Sequence, residues 1–188
     1  MKNELKSLIA EINGDTLGIP VLSLPGAGHY VIAYCPDHDE TWSVSAASQI
    51  RLNDGRTMNG ILTDDSLNGI TDDPMVATFF LAHEVGHYEM GHMNVPEEEM
   101  NRLNELRAKG DVSSFERELA ADRWAATMDP SILDAGIRAM SALLDNCAKN
   151  VALGYLTEEQ RWTLSLELVE RKTQLIRMKA KLDEKEAA

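Results

Sequence analysis

The chain holds only two cysteines, Cys35 and Cys147. They lie far apart and form no C-x-x-C pair, so neither a redox motif nor a thiolate zinc site is expected, and both read as buried thiols. No apolar run approaches the roughly 18 residues that a membrane-spanning helix needs. The amino-terminal stretch MKNELKSLIAEINGD alternates charged and apolar residues and lacks the uninterrupted apolar segment of a signal peptide. Basic residues are also scarce, with 18 Lys and Arg against 31 Asp and Glu and a formal net charge of -13. Such a surface repels nucleic-acid phosphates and anionic membranes, so neither is expected as a partner. Solubility is the simplest use of this acidity, and a cytoplasmic, reducing location is the simplest expectation.

What is present suits a single domain spanning residues 1–188, long enough to bury a core without disulfides. Leu5, Leu8, Ile9 and Ile12 recur at helical spacing before Gly14, which predicts a short helix over residues 3 to 13. Residues 18 to 70 carry short runs rich in Val, Ile, Tyr and Trp, broken by glycine and aspartate. Strands are expected over 19–24 and 30–35, flanking a hairpin turn at Pro25-Gly26-Ala27-Gly28, and near 42–46, 50–53 and 60–63.

From Asp73 onward the pattern is helical. Helix starts are marked by Asp73-Pro74, by Pro96 with three following glutamates, by Ser113 with Glu116, by Asp129-Pro130 and by Thr157 with Gln160. The chain thus divides into a β-rich part with an amino-terminal helix (1–72), a helical part (73–150) and a long carboxy-terminal helix (151–188). In the last helix Leu164, Leu168, Leu175, Met178 and Leu182 form a stripe that Arg171 interrupts. A stripe of this length is expected to pack on its own domain, although it would also suit self-association; the oligomeric state stays open.

The chemistry is concentrated in His83-Glu84-Val85-Gly86-His87, an H-E-x-x-H motif that follows the apolar run Met75 to Ala82. Histidines four apart share one helix face, so both imidazoles can reach one zinc ion, and Glu84 borders that site as the expected general base. The third ligand expected is Glu118, in Glu118-Leu119-Ala120-Ala121-Asp122. Two histidines and a glutamate leave the fourth zinc position open, as a single catalytic Zn2+ requires. His92 needs separate treatment. Nine residues after His83 on a continuing helix it would face away, but Gly91 is placed to end the helix first.

These residues, Glu118-Leu-Ala-Ala-Asp122 after His83-Glu-x-x-His87, resemble the gluzincin pattern of HtpX-type and ImmA/IrrE-type zinc peptidases. The resemblance covers roughly residues 73 to 128. It implies that His83, His87 and Glu118 bind zinc, that Glu84 is the catalytic base, and that Asp122 buttresses a histidine ligand. It also makes His92 an auxiliary candidate, as hydrogen-bond donor or alternative ligand. HtpX-type enzymes are commonly membrane-embedded, so a relative without a span is expected here.

The expected architecture is α+β and zincin-like: a small, mostly antiparallel sheet packed on the H-E-x-x-H helix, followed by an all-helical second half. The expected activity is zinc-dependent endopeptidase action on protein or peptide substrates. The alternatives are a non-catalytic zinc-binding regulatory protein and a zinc hydrolase of a small amide. His29 and His38 fall in turn-like segments and read as exposed. Tyr88, Tyr155 and Arg123 each suit stabilisation of an oxyanion.

Overall fold

The computed structural model describes residues 21–24, 28–34, 45–51, 57–63, 72–94, 96–109, 111 and 115–186. The helix expected over residues 3 to 13, the turn residues 25–27, Cys35, His38 and Ser113 lie outside the described residues. Among the described residues, four strands, β1 (Val21–Leu24), β2 (Gly28–Tyr34), β3 (Ser45–Arg51) and β4 (Thr57–Thr63), precede five helices. These are α1 (Pro74–Glu89), α2 (Glu97–Ala108), α3 (Glu116–Ala126), α4 (Pro130–Ala152) and α5 (Glu158–Glu186), with a short 3-10 turn at His92–Asn94 after α1.

This corrects the expected α+β class with its mostly antiparallel sheet. The described residues are mostly helical, and Ile61 is the one strand residue among the described members of the apolar cluster. The strands run in the order β1-β2-β4-β3, and the central pair, β2 with β4, is parallel. Alternating apolar residues mark a segment as extended but carry no information about the direction of its neighbour, which is set by the connection. The described parts of the runs near 42–46 and 50–53 belong to one strand, β3. His29 lies within β2, opposite Ser23, rather than in a turn.

Helix α1 starts where its residues dictate. The Asp73 carboxylate accepts the Met75 N–H at 2.9 Å, and Pro74 occupies the first helical position, where no N–H is needed. Val76, Ala77, Phe79, Phe80, Leu81, Ala82 and Val85 are all buried and lie all round the helix axis, the pattern of a helix enclosed by other elements. Helix α4 begins on Asp129, which caps Ser131 N–H at 2.7 Å, and lays Leu133, Ala139 and Met140 into the core. Helix α5 opens with a reciprocal capping box between Thr157 and Gln160 (2.9 and 3.1 Å). Its stripe packs inward: Leu168 and Leu175 are buried, Leu164 and Met178 lie against the core, and only Leu182, at the far end, is exposed. Cys147 is buried as expected. Among the described residues, no helix is long and apolar enough to cross a membrane.

Glycine sets one helix crossing that matters for the site. A Cβ on Gly86 would stand 2.9 Å from the Ala121 carbonyl oxygen and 3.0 Å from its Cα. Helices α1 and α3 therefore meet backbone to backbone between Gly86 and Ala121, and this close approach brings the α3 carboxylates to the α1 histidines.

A candidate metal centre

Within the H-E-x-x-H turn, His83 and His87 lie one helical turn apart with their Nε2 atoms 3.1 Å from each other. Glu118 comes across from α3, placing Oε2 3.2 Å from His83 Nε2 and 3.7 Å from His87 Nε2. His83, His87 and Glu118 form a group that could hold a metal ion, their ligand atoms all lying within 4.8 Å of one another. His83 is almost wholly buried, whereas the Glu118 side chain keeps 22% of its accessibility, so the group is enclosed on one side and reachable on the other.

Behind His83 lies a chain of charge. Its Nδ1 is 2.7 Å from Asp122 Oδ1, and Asp122 is completely buried. Arg171, from α5, donates to both Asp122 oxygens, Nε to Oδ2 at 2.6 Å and Nη2 to Oδ1 at 2.8 Å. The same guanidinium reaches Glu118 Oε2 and Glu167 Oε1, each at 3.5 Å from Nη1. Asp122 thus meets the ring nitrogen of His83 that faces away from Glu118, and one arginine joins Asp122 to Glu118.

The field at the site favours positive charge. Burial alone would lower the His83 pKa, but the Asp122 carboxylate beside it pushes it up to about 10. Burial alone would raise the Asp122 carboxyl, yet the Arg171 guanidinium holds it down to about 2. Glu118 is likewise held well below the ordinary carboxylate range, against burial, by hydrogen bonds from the two histidines and the charge of Arg171. Arg171 is raised above its ordinary value because its carboxylate partners outweigh its desolvation. An electrostatic environment that retains a proton on an imidazole also attracts a cation to the same place.

Glu84 is buried and its Oε2 accepts the backbone N–H of Ala47, in β3, at 2.7 Å. His92 is brought back to the site because the chain turns at Gly91, whose φ of 73° is the left-handed conformation that glycine adopts without strain. Its Nδ1 lies 2.9 Å from His87 Nδ1, on the side of that ring away from the metal group, and His92 is not a member of the group. Burial, with the charge of the nearby Arg117 guanidinium adding to it, lowers the His92 pKa to about 4.

Of the donors considered for an oxyanion, Tyr88 is engaged with β4, its hydroxyl donating to Gly60 O at 2.6 Å and accepting Gly60 N–H at 3.0 Å. Arg123 donates to Gln174 at 3.0 Å, tying α3 to α5, and Tyr155 is 69% exposed in the turn after α4. Arg171 and Glu167 had no place in the sequence reading of the site. The signal was there: a Glu and an Arg four apart on the otherwise apolar face of α5 must be paired if that face is buried.

No protein family model matches this chain, and comparison with curated proteins and with solved structures finds no match either. The gluzincin resemblance therefore rests on the motif residues alone.

Proposed function

We propose that the chain is a zinc-dependent peptidase of gluzincin type, with His83, His87 and Glu118 as metal ligands and Glu84 as general base. The observation that carries this reading is the spacing of the three ligand atoms. Tetrahedral zinc with bonds near 2.0–2.1 Å sets its ligand atoms about 3.3 Å apart, and the separations here are 3.1, 3.2 and 3.7 Å. Three protein ligands leave a fourth position for water or substrate, the arrangement of a catalytic rather than a structural site.

A zinc ion bound here would acidify water and polarise the carbonyl of a scissile bond. Glu84 follows His83 directly and offers a carboxylate that takes a proton from the attacking water and returns it to the leaving amine. Asp122 accepts the Nδ1–H of His83 and so presents Nε2 as the ligating nitrogen, and Arg171 keeps Asp122 ionised for that purpose. Among the described strands β3 stands at the end of the order, and its Ala47 N–H donates to Glu84 Oε2, so this strand's backbone runs beside that carboxylate. An extended peptide pairing with β3 would pass the same carboxylate, which favours a peptide substrate over a small amide.

The test measures metal content by mass spectrometry together with cleavage of an unfolded protein. One zinc per chain is expected in wild type and in Glu84→Gln, with loss in Glu118→Ala. Cleavage is expected to fall by about 10²-fold or more in Glu84→Gln, the contribution of a positioned acid–base group. Metal-free wild type would overturn the ligand assignment. Bound zinc with no cleavage, or with cleavage of small amides alone, would favour the non-catalytic or the small-amide alternative.

A further inference from the structure

We infer that His92 is a positioning residue for His87, accepting the His87 Nδ1–H through its own Nδ1 and thereby aiming His87 Nε2 into the metal group. This rests on the assignment of His83, His87 and Glu118 as ligands. The two Nδ1 atoms are 2.9 Å apart and the ring centroids 5.1 Å, with the planes inclined by 59°. A contact this short between two ring nitrogens needs one to carry hydrogen and the other a lone pair. The choice is set at the far side of His87. Its Nε2 lies 3.1 Å from His83 Nε2 and 3.7 Å from Glu118 Oε2, and must be unprotonated to bind a cation. The hydrogen of a neutral His87 is then on Nδ1, which donates, and His92 is the acceptor with its own hydrogen on Nε2.

The backbone is built to hold this contact. Helix α1 closes with Met90 N–H on Gly86 O and Gly91 N–H on Tyr88 O, both at 2.9 Å, and the positive φ of Gly91 redirects the chain into the 3-10 turn that carries His92. The His92 carbonyl accepts from Arg117 Nη2, and Arg117 immediately precedes Glu118 in α3. One short turn thus touches the second ligand through a side chain and the segment bearing the third through its backbone. The two histidine ligands are oriented by unlike partners, His83 by a buried carboxylate and His87 by an imidazole.

The experiment uses the full chain and two substitutions of similar size. His92→Asn keeps an acceptor oxygen near the position of Nδ1, whereas His92→Leu fills the space without one. Zinc affinity, read by competition with a chelating dye, is expected to fall by about 10- to 100-fold in His92→Leu, the usual consequence of losing a group that orients a ligand. In His92→Asn it should stay within a few-fold of wild type, and cobalt-substituted forms of wild type and His92→Asn should share one visible spectrum. Long-range proton–nitrogen correlation spectra of zinc-loaded wild type give a reading that needs no variant: His87 Nδ1 should be protonated and His92 Nδ1 bare. Wild-type affinity in His92→Leu, or a bare His87 Nδ1, would overturn the proposal while leaving the three ligands intact. Loss of zinc and an altered cobalt spectrum in His92→Asn would make His92 a ligand instead. A wild type that takes up no zinc would remove the ligand assignment itself and the proposal with it.

Discussion

The side of α1 that faces α4 and the side that faces α3 and α5 are both closed to water, yet one is filled with hydrocarbon and the other with charge. Toward α4, a Cβ on Gly136 would stand 2.5 Å from the Phe79 ring, and Leu133, Ala139 and Met140 are buried in the same cluster. Toward α3 and α5, His83, Asp122, Glu167 and Arg171 are each at most 7% exposed and partnered with one another. The first side is held by area removed from water. The second is held by mutual compensation, because an ion taken from water is tolerated only while its partner remains. Charge on that side is consequently poor evidence for stability and better evidence for a task.

The largest effect expected on this contrast is that of Asp122→Ala. It leaves Arg171 a buried cation stripped of its two shortest hydrogen bonds beside His83, with only the longer contacts to Glu118 and Glu167 remaining, so unfolding free energy should fall by about 3–5 kcal/mol and zinc affinity by about 10- to 100-fold. Leu133→Ala, on the hydrocarbon side, should lose a comparable 2–5 kcal/mol, roughly, while the folded protein binds zinc as wild type does. Denaturant unfolding of the metal-free proteins and a dye competition titration separate the two. Equal zinc affinities in both variants would dissolve the distinction between the sides.

A smaller effect should come from the two glycines that admit these neighbours. In Gly86→Ala the new methyl meets the Ala121 backbone, which yields only if α1 and α3 move apart, carrying Glu118 from the histidines. In Gly136→Ala it meets the Phe79 side chain, which must shift within the core. Each is expected to cost about 1–3 kcal/mol as an overpacking change, but only Gly86→Ala should also weaken zinc binding. A thermal melt with and without zinc reads the difference as a smaller metal-induced rise in Tm for Gly86→Ala.

The same contrast explains what was legible in the sequence. His83, Glu84 and His87 are tied by local helical spacing, and the starts at Asp73, Asp129 and Thr157 are tied to their own first turns, so short windows of sequence suffice for them. Glu118 and Asp122 are tied to the histidines through a motif, and the packing of Ala121 on Gly86 shows why a small residue stands just before Asp122 here. Arg171 was read as an interruption because its partner Asp122 lies 49 residues away, and no helical period carries that information. The sheet failed for a related reason. Strand propensity is local, but the parallel pairing of β2 with β4 is decided by long-range packing.

The smallest effect concerns a charged contact on the α4 side, which lies at its rim rather than inside it. Asp73 caps α1 through Met75 N–H and also pairs with Arg138 of α4, whose Nη2 is 2.8 Å from Asp73 Oδ2, with both side chains at least 36% exposed. Slight burial raises the Asp73 carboxyl, but the Arg138 hydrogen bond and charge and the Met75 and Val76 N–H groups together outweigh it, and the pKa lies below its ordinary 3.8. For a carboxyl depressed in the folded state, the stabilisation is complete above 3.8 and fades as the pH falls through the lower folded value. Asp73→Ala should therefore cost about 1 kcal/mol near neutrality, mostly from the lost cap since the exposed ion pair contributes little. The gap between wild type and variant should narrow below about pH 4, and zinc affinity should not change at any pH where the metal binds. Urea unfolding at a series of pH values measures the gap. If it stayed constant on acidification, or if zinc binding fell with it, the rim of α1 would have to be counted with the charged side rather than set against it.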